Sequence, residues 1–175
     1  MKKIFLSFIA VCLTLVIQAQ SNPVDEMFNK YSEKQGFTVV SISSKMFGMF
    51  ANKDADNKDT DDIISKLASI KILSVEDSLL NKNLNFYTEL SKKLDFSVYE
   101  ELMVVKEGPN ITKFLIKQKG TIISELLVVV GGPSGNSLIS IKGQLNLKDI
   151  SDMSKSLDMQ ELKSLDKIKK KSPEE

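Results

Sequence analysis

Asp54, Asp56 and Asp59, followed at once by Asp61 and Asp62 and interleaved with Asn52 and Asn57, form the densest set of oxygen ligands in the chain. Hard divalent cations bind through such oxygens. On an EF-hand frame that begins at Asn52, Asp54 and Asp56 fall on ligand positions. Asn57 then stands where the loop needs glycine, and Ile63 where it needs a bidentate acid. The pattern fails at its two most constrained positions. The expected state is a solvated loop in which Asp59 or Thr60 caps the next helix and Asp61 and Asp62 face its positive end. Asp54, Asp56 and Asp59 remain the residues that a cation-dependent binder or a metal-assisted hydrolase would have to use.

Other chemistries lack their parts. The chain contains no His and one Cys, and every basic residue is lysine. A serine nucleophile could then recruit only lysine or a carboxylate as its base. Neither Ser43-Ser44-Lys45 nor Ser154-Lys155 has the Ser-x-x-Lys spacing. Glu100 and Glu101, as neighbours on a strand, point to opposite faces and cannot act as a pair. Gly131-Gly132-Pro133-Ser134-Gly135 follows an apolar strand as a phosphate loop would, but Pro133 interrupts the row of donors and another strand follows where a helix is required. No enzyme, no cofactor and no catalytic residue is expected. Without arginine there is no bidentate fork for phosphate or guanine, and the net charge of +1 offers no field for nucleic acid, so none is expected as a partner. Lys113, Lys117 and Lys119, on alternate positions of one strand, are the candidate binding surface.

The N-terminus sets the compartment. Lys2 and Lys3 precede an apolar run over residues 4–17, and Ile17-Gln18-Ala19 fits a cleavage site, so residues 1–19 read as a secretory signal peptide. The run is short of the roughly 20 apolar residues of a membrane span. Export to the periplasm is expected, leaving residues 20–175 as one domain with a core over about 23–165 and a frayed tail over 166–175. Cys12 would leave with the leader. The residues before it, Ile9-Ala10-Val11, do not offer the small residue that a lipidation site carries there, so no stable membrane anchor is expected.

The remaining elements follow from periodicity. Asn22-Pro23 opens a helix with Val24, Met27, Phe28 and Tyr31 on one side. Residues 37–43 form a β-branched strand, residues 45–51 a short helix, residues 60–69 a helix and residues 70–75 a second strand. Leu84, Tyr87, Leu90 and Leu94 mark one further helix. After Val98 the period falls to 2. A hairpin at Pro109-Asn110 would place Met103, Val105, Phe114 and Ile116 on a buried face, and Glu100, Lys106, Lys113, Lys117 and Lys119 on a wet one. Strands over 122–130 and 138–141 complete a meander, and a helical tail follows from Leu147. The class is α+β: a mixed, mainly antiparallel sheet, N-terminal helix–strand units, a C-terminal β-meander, and helices packed on one face.

Phe37-Thr38-Val39-Val40-Ser41-Ile42-Ser43 with Lys45-Met46-Phe47, the strand over 70–75, Tyr99-Glu100-Glu101-Leu102, Ile123-Ser124-Glu125-Leu126-Leu127 and Leu138-Ile139-Ser140-Ile141-Lys142-Gly143 together resemble a family of small exported Bacteroidota proteins, domain of unknown function 4252. The resemblance covers nearly the whole exported chain. It implies an envelope protein and carries no catalytic residue with it. The expected function is a non-enzymatic periplasmic binding or interaction domain with an envelope protein as partner, linked to sensing or signalling. The acidic loop stands as the cation-dependent alternative.

Overall fold

A computed structural model describes residues 22–50, 58–75 and 77–156 of the chain. Helix α1 (Pro23–Tyr31) begins as its sequence dictates: Asn22 Oδ1 accepts from Val24 N at 3.0 Å, proline takes the first turn, and Val24, Met27, Phe28 and Tyr31 are buried. Strand β1 (Phe37–Ser43), helix α2 (Ser44–Phe50), helix α3 (Lys58–Lys66) and strand β2 (Leu67–Val75) follow. Helices α4 (Ser78–Asn83) and α5 (Phe86–Leu90) and a 3-10 turn (Phe96–Val98) lead into β3 (Glu100–Glu107), β4 (Asn110–Lys119), β5 (Ile122–Gly131), β6 (Ser137–Leu145) and α6 (Leu147–Ser156). The order expected for residues 84–94 differs from the observed one. Asn85 accepts from Thr88 N and starts α5 afresh, while Asn81 and Asn83 lie inside α4.

The six strands form one sheet in the order β1-β2-β6-β5-β4-β3, and the α+β class holds. Among the described residues all five pairings are antiparallel, so the sheet is antiparallel rather than mixed and contains no parallel crossover. The helices also cover both faces rather than one. Phe114, Ile116, Leu126, Val128, Ile139 and Ile141 pack on one side with Ile63 of α3 and Ile150 and Met153 of α6. Leu73, Leu115, Leu127, Val129 and Leu138 pack on the other with α1, Phe86 and Leu90. The physical reason is legible in β5, where Leu126-Leu127-Val128-Val129 is apolar at every position and therefore needs a cover on each side. The wet face expected for β3–β4 is dry at Leu115, which is 2% exposed.

The β3–β4 turn centres on Gly108-Pro109, one residue earlier than expected, because Glu107 pairs with Asn110. Gly108 has φ 57, the left-handed value that a two-residue hairpin of the II′ type needs at its first position. Between β5 and β6 the loop is held by Asn136, which is 3% exposed. Its amide donates to Asn81 Oδ1 at 3.0 Å and Gly132 O at 3.0 Å, and its Oδ1 accepts from Phe86 N at 2.8 Å. Gly131 is required there by close approach, since a Cβ would stand 2.7 Å from the backbone nitrogen of Tyr87.

Candidate interaction edge

Strand β1 ends the sheet, so half of its backbone groups face away from β2. Which half follows from one bond: Val75 N donates to Asn136 O at 3.1 Å, which turns the odd-numbered residues of β2 toward β6. The even-numbered residues Ser74, Ile72 and Ile70 therefore bond to β1, at their register partners Thr38, Val40 and Ile42. Phe37, Val39 and Ser41 direct their N–H and C=O groups outward, as Ser43 does its N–H, while the Ser43 C=O begins the bonding of α2. Among the described residues no strand pairs with this row. Val40 and Ser41 are exposed, and exposed Met46 and Met49 follow on α2. Residues 35–44 contain no charged side chain, and the β1–β2 register runs without a bulge. Edges of that kind are the templates on which other strands add.

The opposite edge is built differently. Strand β3 carries Glu100, Glu101, Lys106 and Glu107, all exposed, and its register with β4 breaks between Glu101 and Met103. Charges and a bulge blunt an edge against strange strands. The candidate lysine row belongs to this side, and its members differ in exposure and partners. Lys113 donates to Glu101 Oε2 at 2.7 Å and lies over the rings of Tyr87 and Phe96, at 5.4 and 5.9 Å from their centroids. The Glu101 bond, assisted by the charge of that carboxylate and opposed by burial, holds the Lys113 ammonium above its usual pKa. Leu115 separates it from Lys117, and only Lys117 and Lys119 are exposed.

A polar cluster that sequence reasoning missed lies beneath the start of α1. Glu125, 5% exposed, accepts from Ser140 Oγ at 2.6 Å on one oxygen and from Tyr99 Oη at 2.9 Å on the other. Burial first, then the neighbouring Glu125 charge, pushes the Tyr99 phenol well above its ordinary value, so it stays a donor. Beside it Asp25 accepts from Lys71 at 2.7 Å and Lys142 at 3.4 Å. Burial works to raise the Asp25 pKa, but the two lysines outweigh it and the carboxyl is held below its usual value. Each of these groups is engaged with another, and Ser140 is 1% exposed, so the cluster fastens α1 to the sheet. Its signal in the sequence is Glu125 and Ser140 standing among apolar neighbours on strands.

An open cleft of about 610 Å³ at the end of α3 is bordered by Lys66, Ser124, Lys142 and Gly143. Both lysines are committed, Lys66 to Asp62 and Asp149, and Lys142 to Asp25. The candidate metal residues Asp54 and Asp56, and the side chain of Asp59, lie outside the described residues. So do the leader over residues 1–19, Cys12, and the tail from residue 157. Among the described residues no group of three acidic, His or Cys side chains could hold a metal, and no helix is long and apolar enough to cross a membrane.

A two-sided antiparallel sheet with one blunted and one open edge defines an α+β domain. A family model, Domain of unknown function (DUF4252), matches residues 31–153. The chain belongs to that family. Neither a curated protein nor a solved structure matches it.

Proposed function

We propose that the chain is an exported, non-enzymatic interaction domain of the cell envelope that binds an envelope protein along β1. The observation that carries this reading is the outward backbone row of Phe37, Val39, Ser41 and Ser43 on a strand without charges. Main-chain bonds along such an edge supply affinity, and the alternating side chains supply selectivity. The absence of His supports the non-enzymatic part, since a serine nucleophile is left with only lysine or a carboxylate as its base. Lys2, Lys3 and the apolar run to Ile17 support export to the periplasm. The test joins both parts in living cells. N-terminal sequencing of the fractionated protein should begin at Gln20 or within a residue or two. A photo-crosslinker at position 40 should capture an envelope component that Ser41→Pro no longer captures. An intact Met1 in cytosolic protein overturns export, and capture indifferent to Ser41→Pro overturns the edge.

A further inference from the structure

We propose that β1 pairs with β1 of a second copy of this chain, antiparallel about a two-fold axis at Val40, so that the two six-stranded sheets become one. The inference rests on reading β1 as the interaction edge and names its occupant. The outward residues Phe37, Val39, Ser41 and Ser43 are placed symmetrically about Val40. An antiparallel copy therefore sets Phe37 opposite Ser43 of the second copy and Val39 opposite Ser41, and the outward groups meet except at the two Ser43 carbonyls, which α2 takes. Centring the axis on Val39 or Ser41 leaves some of the row unpaired. The Val40 register supplies about six main-chain bonds, within the usual range for a whole interface.

Side chains agree with this register. Val40 falls on the axis as a non-hydrogen-bonded pair, where Cα atoms come to about 4.5 Å and side chains are closest. It is 39% exposed, so the contact covers apolar surface that the single chain leaves in water. On the other face Val39 meets Ser41 and Phe37 meets Ser43. No charged residue occurs over 35–44, so no like charges face each other across the axis and none is desolvated. The charged edge also excludes the competing arrangement. A β1–β3 contact would bring Glu100, Glu101, Lys106 and Glu107, with the bulge beside Met103, onto an uncharged partner. It would also be head-to-tail and open-ended, whereas the two-fold contact closes and leaves both β3 edges as blunted ends.

Three measurements on the purified chain test the pairing, with Cys12→Ser wherever that residue is retained. Light scattering and sedimentation equilibrium should show a reversible monomer–dimer transition. Ser41→Pro removes an outward N–H that β2 does not use, so the circular dichroism should be unchanged while dissociation rises by roughly a hundredfold or more, the loss of two main-chain bonds. Val40→Lys, at a half-open position, should do the same through charge at the axis. Val40→Cys should form a disulfide-linked dimer on mild oxidation, since the axial pair falls within disulfide reach, whereas Val104→Cys on β3 should not. A chain that stays monomeric at about 100 μM, roughly the weak end for specific association, overturns the pairing. So does a folded Ser41→Pro variant that dimerises normally. If the purified chain is monomeric while capture in cells still depends on Ser41, self-pairing fails and the edge reading stands. If it dimerises through Val40 while the crosslinker at position 40 captures no protein but a second copy, self-pairing stands and the separate envelope partner falls.

Discussion

The two ends of this sheet solve the same problem in opposite ways. At β3, unpaired backbone is guarded by exposed Glu100, Glu101, Lys106 and Glu107, a bulge interrupts the ladder, and Lys113 is drawn inward to Glu101 and two rings. At β1 the ladder is regular, the side chains are uncharged, and the apolar Val40 faces water. The difference teaches that an open edge in this fold is a choice of side chains rather than a consequence of topology, because both strands are terminal and only one is defended.

The largest test of that contrast lies next to the defended end. Phe114 is fully buried on β4, paired across the ladder with Met103 of β3, so Phe114→Ala should cost about 3–5 kcal/mol in urea melts. Val40→Ala, on the open end, should cost about 1 kcal/mol, and equal losses would show that β1 is as deeply embedded as β4. Next in size is the direction of the β1 backbone. Val40 N–H points to β2, so Val40→Pro should cost about 3 kcal/mol, while Ser41→Pro, measured at low protein concentration, should cost under about 1 kcal/mol. A reversal of that order would turn the outward row into 38, 40 and 42. Smaller again is Lys113→Ala, which loses an ion pair and two ring contacts, about 1 kcal/mol together. A loss under about 0.3 kcal/mol would return Lys113 to the solvated row.

The smallest effect is the pH dependence of the defended edge. The Lys113 pKa is raised in the folded chain above the ordinary 10.5, chiefly by its bond to Glu101. Its contribution is therefore complete below that ordinary value and is lost as pH rises through the raised one. The urea midpoint of the native chain should fall from pH 9 to pH 11 by more than that of Glu101→Gln. Identical slopes would remove the Lys113–Glu101 pair from the defence of β3.

Much of the fold could be read from residue types alone. Asn22-Pro23 announces α1, the β-branched run of β1 is unmistakable, and Phe114 and Ile116 share the buried face that their period implies. Strand order could not be read, because pairing β2 with β6 depends on contacts between residues 70 and 141 that leave no local trace. The dry second face followed from the continuous apolar run of β5, and the lysines opposite Phe114 obscured it. Of the candidate site, the absence of charge over 35–44 is plain in the sequence, but its meaning arises only once β1 is known to be terminal. Lys113 looked like its neighbours Lys117 and Lys119 because a sequence does not show that Tyr87 and Phe96 lie beside it.

The β2–β6 junction also governs the order of assembly. Strands β3 to β6 form hairpin by hairpin from neighbouring residues, a quick and local process, whereas β2 must wait for a strand made about seventy residues later. A chain that emerges N-terminus first exposes β1 and β2 before β6 exists. Through that interval β2 has a second open side, as apolar as the first, and Ile70, Ile72 and Leu73 stand in water. The last strand to be synthesised thus seals the first pair.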